Sequence, residues 1–115
     1  MRYAVVCQSR THAELLFKAL GVHEQEVTVA VESESLERVL KRQGCEVVRG
    51  SFRDRALYRE ILPADLLIVI LKDRRRTRTV LGAAHRERGD TPVLVLSLGP
   101  VADLLSETVF SVGFQ

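Results

Sequence analysis

The sequence predicts a doubly wound α/β fold, in which helices cover both faces of a parallel sheet. Short runs rich in Val, Ile and Leu alternate along the 115 residues with segments of helical periodicity. These runs are continuously apolar rather than alternating, which is typical of strands that are buried on both faces. Right-handed crossover helices join successive parallel strands in such folds. We therefore expect a doubly wound parallel sheet of five or six strands, with the order 3-2-1-4-5.

Each predicted element has its own local signal. Gly21, Gly44 and Gly89 follow three amphipathic segments, where glycine commonly ends a helix. Either Ser33 or Ser35 caps the second helix, and a proline at position 63 ends the third. The fourth strand is the most apolar run and is expected at the centre of the sheet. In chain order the predicted elements are Tyr3–Cys7, Thr11–Leu20, Val27–Val31, a serine-capped helix to Gln43, Glu46–Arg49, Asp54–Ile61, Leu66–Leu71, Arg75–Arg88, Val93–Leu98 and a short helix over Val101–Ser106.

Composition limits the classes of protein to consider. A formal net charge of +2 does not favour nucleic acid as a partner. No apolar run approaches the roughly 18 residues of a membrane span, and the run Ala4–Cys7 is too short for a secretory signal. Cys7 and Cys45 lack the spacing of a metal site. We expect a single cytoplasmic domain over residues 1–115 with reduced thiols and no direct membrane insertion.

The turn after the first strand is where a dinucleotide-binding domain of this architecture carries its glycines. The three glycine positions fall on Gln8, Arg10 and Ala13. Ala13 is acceptable at the third, but side chains at Gln8 and Arg10 fill the space of a pyrophosphate. The helix N-terminus still offers N–H groups to an anion. Two interpretations of Arg10 stay open: it contacts a phosphate, or it occupies the vacated cleft or lies in solvent.

Glu32 directly follows the second strand, about 24 residues after the first glycine position. An acid at this place normally accepts hydrogen bonds from a ribose hydroxyl. An acid near a helix start is also favourable to the helix dipole without any ligand. Both interpretations of Glu32 stay open.

Residues 27–54, VTVAVESESLERVLKRQGCEVVRGSFRD, carry a more specific pattern. With Leu66–Leu71 and the Lys72-Asp73 pair that follows, they resemble the N-terminal half of RCK (TrkA-N) domains, the nucleotide-binding regulatory domains of potassium channels and transporters. The resemblance extends from Arg2 to about Val112 and implies a Rossmann-like fold that binds NAD or an adenine nucleotide. Ser51 stands where the family has an aspartate. The implied nucleotide-binding residues are Gln8, Ser9, Arg10, Thr11, Glu32, Gly50, Ser51, Lys72 and Asp73.

The resemblance also bears on partners. Such domains pair with a second copy, so we expect a homodimer, and the apolar tail Val109–Phe114 suits either pairing or a further segment. The family's C-terminal RCK half does not occur in these 115 residues. Similar modules are fused to other proteins, including DHH-type phosphoesterases. A fused or partner domain is therefore expected, namely a channel, a transporter or a phosphoesterase.

The basic segment Lys72–Arg78 has two interpretations as well. Its four arginines bind phosphates or an acidic partner, or they form a solvated face because consecutive residues point around a helix. No catalytic set and no metal ligands are predicted, since the histidines (His12, His23 and His85) lack suitable partners.

Two functions follow from these observations. The leading one is a regulatory Rossmann-like module with weakened or altered nucleotide binding, which acts by self-association or on a fused domain. The alternative is a sensor of NAD or an adenine nucleotide that is linked to potassium transport. A short NAD-dependent oxidoreductase is disfavoured, because no second domain and no Tyr/Lys or His/Asp set is recognisable.

Overall fold

The computed structural model describes residues 1–21, 26–96 and 110–113 and contains one six-stranded sheet. The elements are β1 (Tyr3–Cys7), α1 (Arg10–Leu20), β2 (Val27–Val31), α2 (Glu34–Arg42), β3 (Glu46–Arg49), α3 (Arg55–Ile61), β4 (Leu66–Ile70), α4 (Arg74–Glu87), β5 (Val93–Leu96) and β6 (Phe110–Gly113). The strand order is β3-β2-β1-β4-β5-β6, and β1 to β5 are parallel. The predicted α/β fold and the order 3-2-1-4-5 are confirmed.

The sixth strand runs antiparallel to β5, with Leu94 opposite Val112 and Leu96 opposite Phe110. The tail that the sequence suggested as a surface for self-association therefore contributes Phe110–Gly113 to the chain's own sheet. The predicted helix Val101–Ser106, the end of the predicted fifth strand at 97–98 and His23 lie outside the described residues.

The strands β1 and β4 occupy the centre of the sheet and separate two apolar cores. Alternate residues of β1 point to opposite faces, so Val6 belongs to one core and Val5 to the other. The core on the Val6 side is closed by α3 and α4, whereas α1 and α2 close the other. Burying each of these side chains contributes about 1.5–3 kcal/mol. The central strands thereby fix which helices lie on each face.

Three helices begin at a side-chain cap. Ser33 Oγ accepts the Leu36 N–H at 3.3 Å, so Ser33 rather than Ser35 caps α2. Asp54 and Asp73 cap α3 and α4 in the same way, at 3.0 and 2.8 Å. The helices α1 and α4 begin one residue before the predicted start. At the end of α1, Gly21 adopts the left-handed conformation with φ 61°.

Within the described residues, none of the helices combines the length and the apolar content that crossing a bilayer requires. Cys7 and Cys45 are both buried, and burial raises the pKa of the Cys7 thiol to about 12. This thiol is therefore protonated at neutral pH.

The Tyr58 side chain joins α3 to the connection that follows β3. Tyr58 is fully buried, and its hydroxyl donates to the Phe52 carbonyl at 2.7 Å. We expect Tyr58→Phe to lower the free energy of unfolding by about 1–2 kcal/mol, because a buried carbonyl loses its donor. Urea denaturation measures this loss. Tyr3→Phe is the control, since the Tyr3 hydroxyl makes no hydrogen bond to the described residues. Equal losses in the two variants would contradict the assignment.

Candidate functional site

The connections after β1, β2, β3 and β4 all leave the same edge of the sheet, because these strands are parallel. The chain order reverses between the neighbouring strands β1 and β4. Ligands of doubly wound folds bind in the crevice at the carboxyl ends of the strands, next to such a reversal. This edge is therefore the candidate site.

Glu32 lies at this edge, one residue beyond β2, and its carboxylate joins three segments of the chain. Oε2 accepts the Phe52 N–H at 2.9 Å, and Oε1 pairs with Arg76 Nη1 at 2.9 Å. Gln8 Nε2 donates a longer hydrogen bond to Oε1, at 3.4 Å. The acid that the sequence placed against a ribose is thus already held by donors of the protein itself.

The electrostatics of Glu32 follow from these contacts. Burial by itself raises the pKa of the carboxyl, but the Phe52 N–H and the guanidinium groups of Arg76 and Arg53 outweigh burial and hold the pKa below its usual value. The carboxylate is therefore ionised at neutral pH and is a hydrogen-bond acceptor only.

The turn after β1 has side chains where a dinucleotide would need bare backbone. Gln8 is exposed and reaches Glu32, while Ser9 is extended, with φ −137° and ψ 133°. Arg10 pairs with Glu14 at 2.8 Å along the exposed surface of α1. Thr11 lies on the outer side of α1, where it lines a separate surface groove. In this conformation Arg10 faces solvent rather than the crevice.

The start of α1 differs from the starts of the other three described helices, because no side chain caps it. His12, in its first turn, is buried, and Nδ1 has no hydrogen-bond partner among the described residues. Burial, and then the charge of Lys72, lower the pKa of His12. The backbone N–H groups of this uncapped end are therefore available to an anion.

A cavity of about 390 Å³ lies beside Glu32, between the connection after β3 and the first turns of α4. Among the described residues, none from the turn Gln8–Thr11 lines it. The lining residues are Glu32, Ser51, Phe52, Arg53, Asp73, Arg75, Arg76 and Thr79. The cavity is thus a second compartment of the same edge, with three arginines in its wall.

The structure distributes the predicted binding residues between these two compartments. Glu32, Ser51 and Asp73 line the cavity, and Asp73 also caps α4. Lys72, in the connection after β4, does not line the cavity. Gly50 continues the pairing of β3 with β2, since its N–H donates to the Val31 carbonyl at 3.0 Å.

Sequence reasoning missed the role of three arginines. Arg53 was not singled out, and Arg75 and Arg76 belonged to a basic segment with an open interpretation. The structure places Arg76 on Glu32, whereas Arg74 and Arg78 are exposed and do not line the cavity. The available signal was position, because Arg75 and Arg76 lie in the first turn of the helix that follows the central strand.

Comparison with known proteins identifies the fold. No protein-family model and no curated protein matches the sequence. The TrkA-N domain of the inner membrane protein YbaL from Escherichia coli is similar in structure, with a TM-score of 0.70 and 16% identity over 85% of this chain and 73% of that one. The NAD(P)-binding domain of an exopolyphosphatase-related protein from Archaeoglobus fulgidus has a TM-score of 0.70 and 17% identity, over 94% and 83%.

A third similar structure is a triphenylmethane reductase from Citrobacter complexed with NADP(H), with a TM-score of 0.63 and 15% identity. This chain spans 37% of that enzyme, and 84% of this chain is covered. At such identities the likeness shows the fold. The predicted Rossmann-like fold and the predicted resemblance to TrkA-N domains are confirmed at that level.

The buried His12 generates a prediction about pH. Its pKa is lowered in the folded state, from about 6.5 in an unfolded chain, so the unfolded chain binds the proton first. The contribution of neutral His12 to the free energy of unfolding is complete above about pH 6.5. This contribution is lost as the pH falls through the pKa that His12 has in the folded state. Between pH 7.5 and 5.5 we expect the free energy of unfolding to fall in the wild type and to fall less in His12→Leu.

Urea denaturation at several pH values within this range measures the slope. His12→Leu also removes a buried unpaired nitrogen, and we expect it to be roughly 1 kcal/mol more stable than the wild type at pH 5.5. His85→Gln is the control, because His85 is exposed. If His12→Leu keeps the slope of the wild type, His12 is not the group that titrates.

Proposed function

We propose that this chain is a regulatory Rossmann-like module that binds an adenine-containing nucleotide in an altered manner and passes the signal to a fused domain, a partner or a second copy of itself. The observation that carries the proposal is the state of Glu32. This residue keeps the position of a ribose-binding acid, and its two oxygens already contact the Phe52 N–H and the Arg76 guanidinium.

The binding is altered because the diphosphate has lost its usual path. An extended dinucleotide runs from the N-terminus of α1 to the acid after β2 and needs glycine at the turn between them. Here the Gln8 side chain spans that interval, with Nε2 at 3.4 Å from Glu32 Oε1. A diphosphate must displace this side chain, and the added Cβ atoms of the turn prevent the closest approach to backbone N–H groups.

Three features support nucleotide binding in spite of the altered turn. The N-terminus of α1 is uncapped, the cavity of about 390 Å³ has a volume that is typical of small-molecule sites, and the similar structures include an NAD(P)-binding domain. The ligand of this proposal is NAD or an adenine nucleotide, with its adenosine end at Glu32.

A regulatory role is favoured over an enzymatic one by the residues that line the cavity. Asp73 is committed to capping α4, and Glu32 is committed to Arg76, so neither carboxylate is placed to act as a general base. The thiol of Cys7 is buried and protonated, which does not suit a nucleophile.

The receiving domain in this proposal is a channel, a transporter or a phosphoesterase in the cytoplasm, or a second copy in a homodimer. Two of the similar structures are consistent with such a receiver. One is a TrkA-N domain of an inner membrane protein and the other is a domain of an exopolyphosphatase-related protein. A link to potassium transport is the narrower form of the proposal.

Restoring the glycines tests the altered turn. We expect Gln8→Gly combined with Arg10→Gly to bind NAD about tenfold more tightly than the wild type, which corresponds to about 1.4 kcal/mol. The affinity for AMP, which has no diphosphate, changes little. Calorimetry with NAD, ATP, ADP and AMP measures these affinities.

The matched control is Gln8→Ala with Arg10→Ala, which removes the same side chains, including the partner of Glu14, but keeps both Cβ atoms. Glu32→Ala should weaken whatever binding the wild type shows. The proposal fails if none of the four nucleotides binds to the folded protein. If the glycine and alanine variants bind NAD equally well, the proposed effect of the turn on diphosphate binding is wrong.

A further inference from the structure

We infer that the cavity beside Glu32 binds a phosphate group carried on the ribose of adenosine, and that the unpaired guanidinium groups of Arg53 and Arg75 are its ligands. This inference rests on the proposed function, because it takes the adenosine end of a nucleotide to lie at Glu32. It adds the chemical class of the ligand and the residues that select it.

Within the described residues, two arginines of the cavity make no hydrogen bond or ion pair through their side chains, although the charge of Arg53 acts on Glu32. Arg76 is paired with Glu32 at 2.9 Å, and the Asp73 carboxylate accepts the backbone N–H of Arg75 at 2.8 Å. The side chains of Arg53 and Arg75 form no hydrogen bond or ion pair with the described part of the chain. Two guanidinium groups on facing elements suit a phosphate dianion, because each presents a planar set of N–H donors.

The two hydroxyl groups that line the cavity, from Ser51 and Thr79, differ in whether they can donate to a ligand. Thr79 Oγ1 donates to the Arg75 carbonyl at 3.1 Å, so its proton is in use. Ser51 Oγ only accepts, from the Arg53 N–H at 3.3 Å, and its own proton remains available to a ligand oxygen. Two carboxylates, Glu32 and Asp73, already line the cavity, where Glu32 is paired with Arg76 and Asp73 caps α4. A third carboxylate in place of Ser51 would add a negative charge that opposes a phosphate.

The pairing of Glu32 with Arg76 permits a phosphorylated ribose at this place. The Arg76 guanidinium, at 2.9 Å from Oε1, offsets the carboxylate charge that would otherwise repel a phosphate. A phosphate on that ribose needs no carboxylate acceptor, and it binds while the pair of Glu32 and Arg76 stays intact. The guanidinium of Arg76, which lines the same cavity, then has further N–H groups to offer.

Calorimetry on matched ligand pairs tests this inference. The first pair is NADP against NAD, and the second is adenosine 2′,5′-bisphosphate against 5′-AMP, with adenosine 3′,5′-bisphosphate to distinguish the two ribose positions. We expect the ligand with the additional ribose phosphate to bind at least about tenfold more tightly. Arg53→Gln and Arg75→Gln should each lower the affinity for the ligand with the ribose phosphate more than the affinity for its partner, and so remove most of this preference.

Arg78→Gln is the matched control, since Arg78 is an exposed arginine of α4 that does not line the cavity. A loss of preference in Arg78→Gln as large as in Arg53→Gln would indicate general attraction by the basic helix and would overturn the inference. Equal binding of the members of each pair overturns the inference as well, but leaves the proposed function standing. A folded protein that binds none of these ligands overturns both.

Discussion

A single carboxylate determines the arrangement of the functional edge. Glu32 is partly withdrawn from water, and a carboxylate in that position needs donors. It obtains them from the turn after β1, the connection after β3 and the first turn of α4. Segments that are far apart in the sequence are thereby joined at one point. The consequence is a divided crevice, with the start of α1 on one side of Glu32 and the arginine-lined cavity on the other.

The fold tolerates the loss of the fingerprint glycines because its backbone does not require them. Among the described residues, only Gly21 and Gly44 have positive φ, and both follow helices. In the turn after β1, Ser9 has an extended backbone conformation, which any residue can adopt. Glycine at positions 8 and 10 would allow a ligand to approach the backbone, but the fold itself does not need it there. The central strands, which are buried by helices on both faces, hold the architecture while the turn changes.

The sequence predicted best those features that depend on neighbouring residues along the chain. Continuous apolar runs located β1 to β5, and glycines and capping side chains located the helix ends to within a residue or two. The choice between Ser33 and Ser35 could not be made in advance, because both serines precede the same apolar face. The pair of Glu32 and Arg76 joins residues whose meeting depends on how α4 is rotated against the sheet, and no spacing in the sequence encodes that rotation. β6 pairs antiparallel to β5, and the residues of a short strand do not encode its direction either.

The proposed phosphate site lies between the starts of two helices. Arg53 belongs to the connection before α3, and Arg75 belongs to α4, so a phosphate that binds both would draw the starts of these helices together across the cavity. Glu87, in the last turn of α4, pairs with Arg55 at 3.2 Å and with Arg59 at 2.9 Å. The end of α4 is therefore already joined to α3. A ligand shifts such an equilibrium only by the difference between its affinities for the open and closed arrangements. In the proposed site, that difference would come from contacts that the phosphate makes with both helix starts.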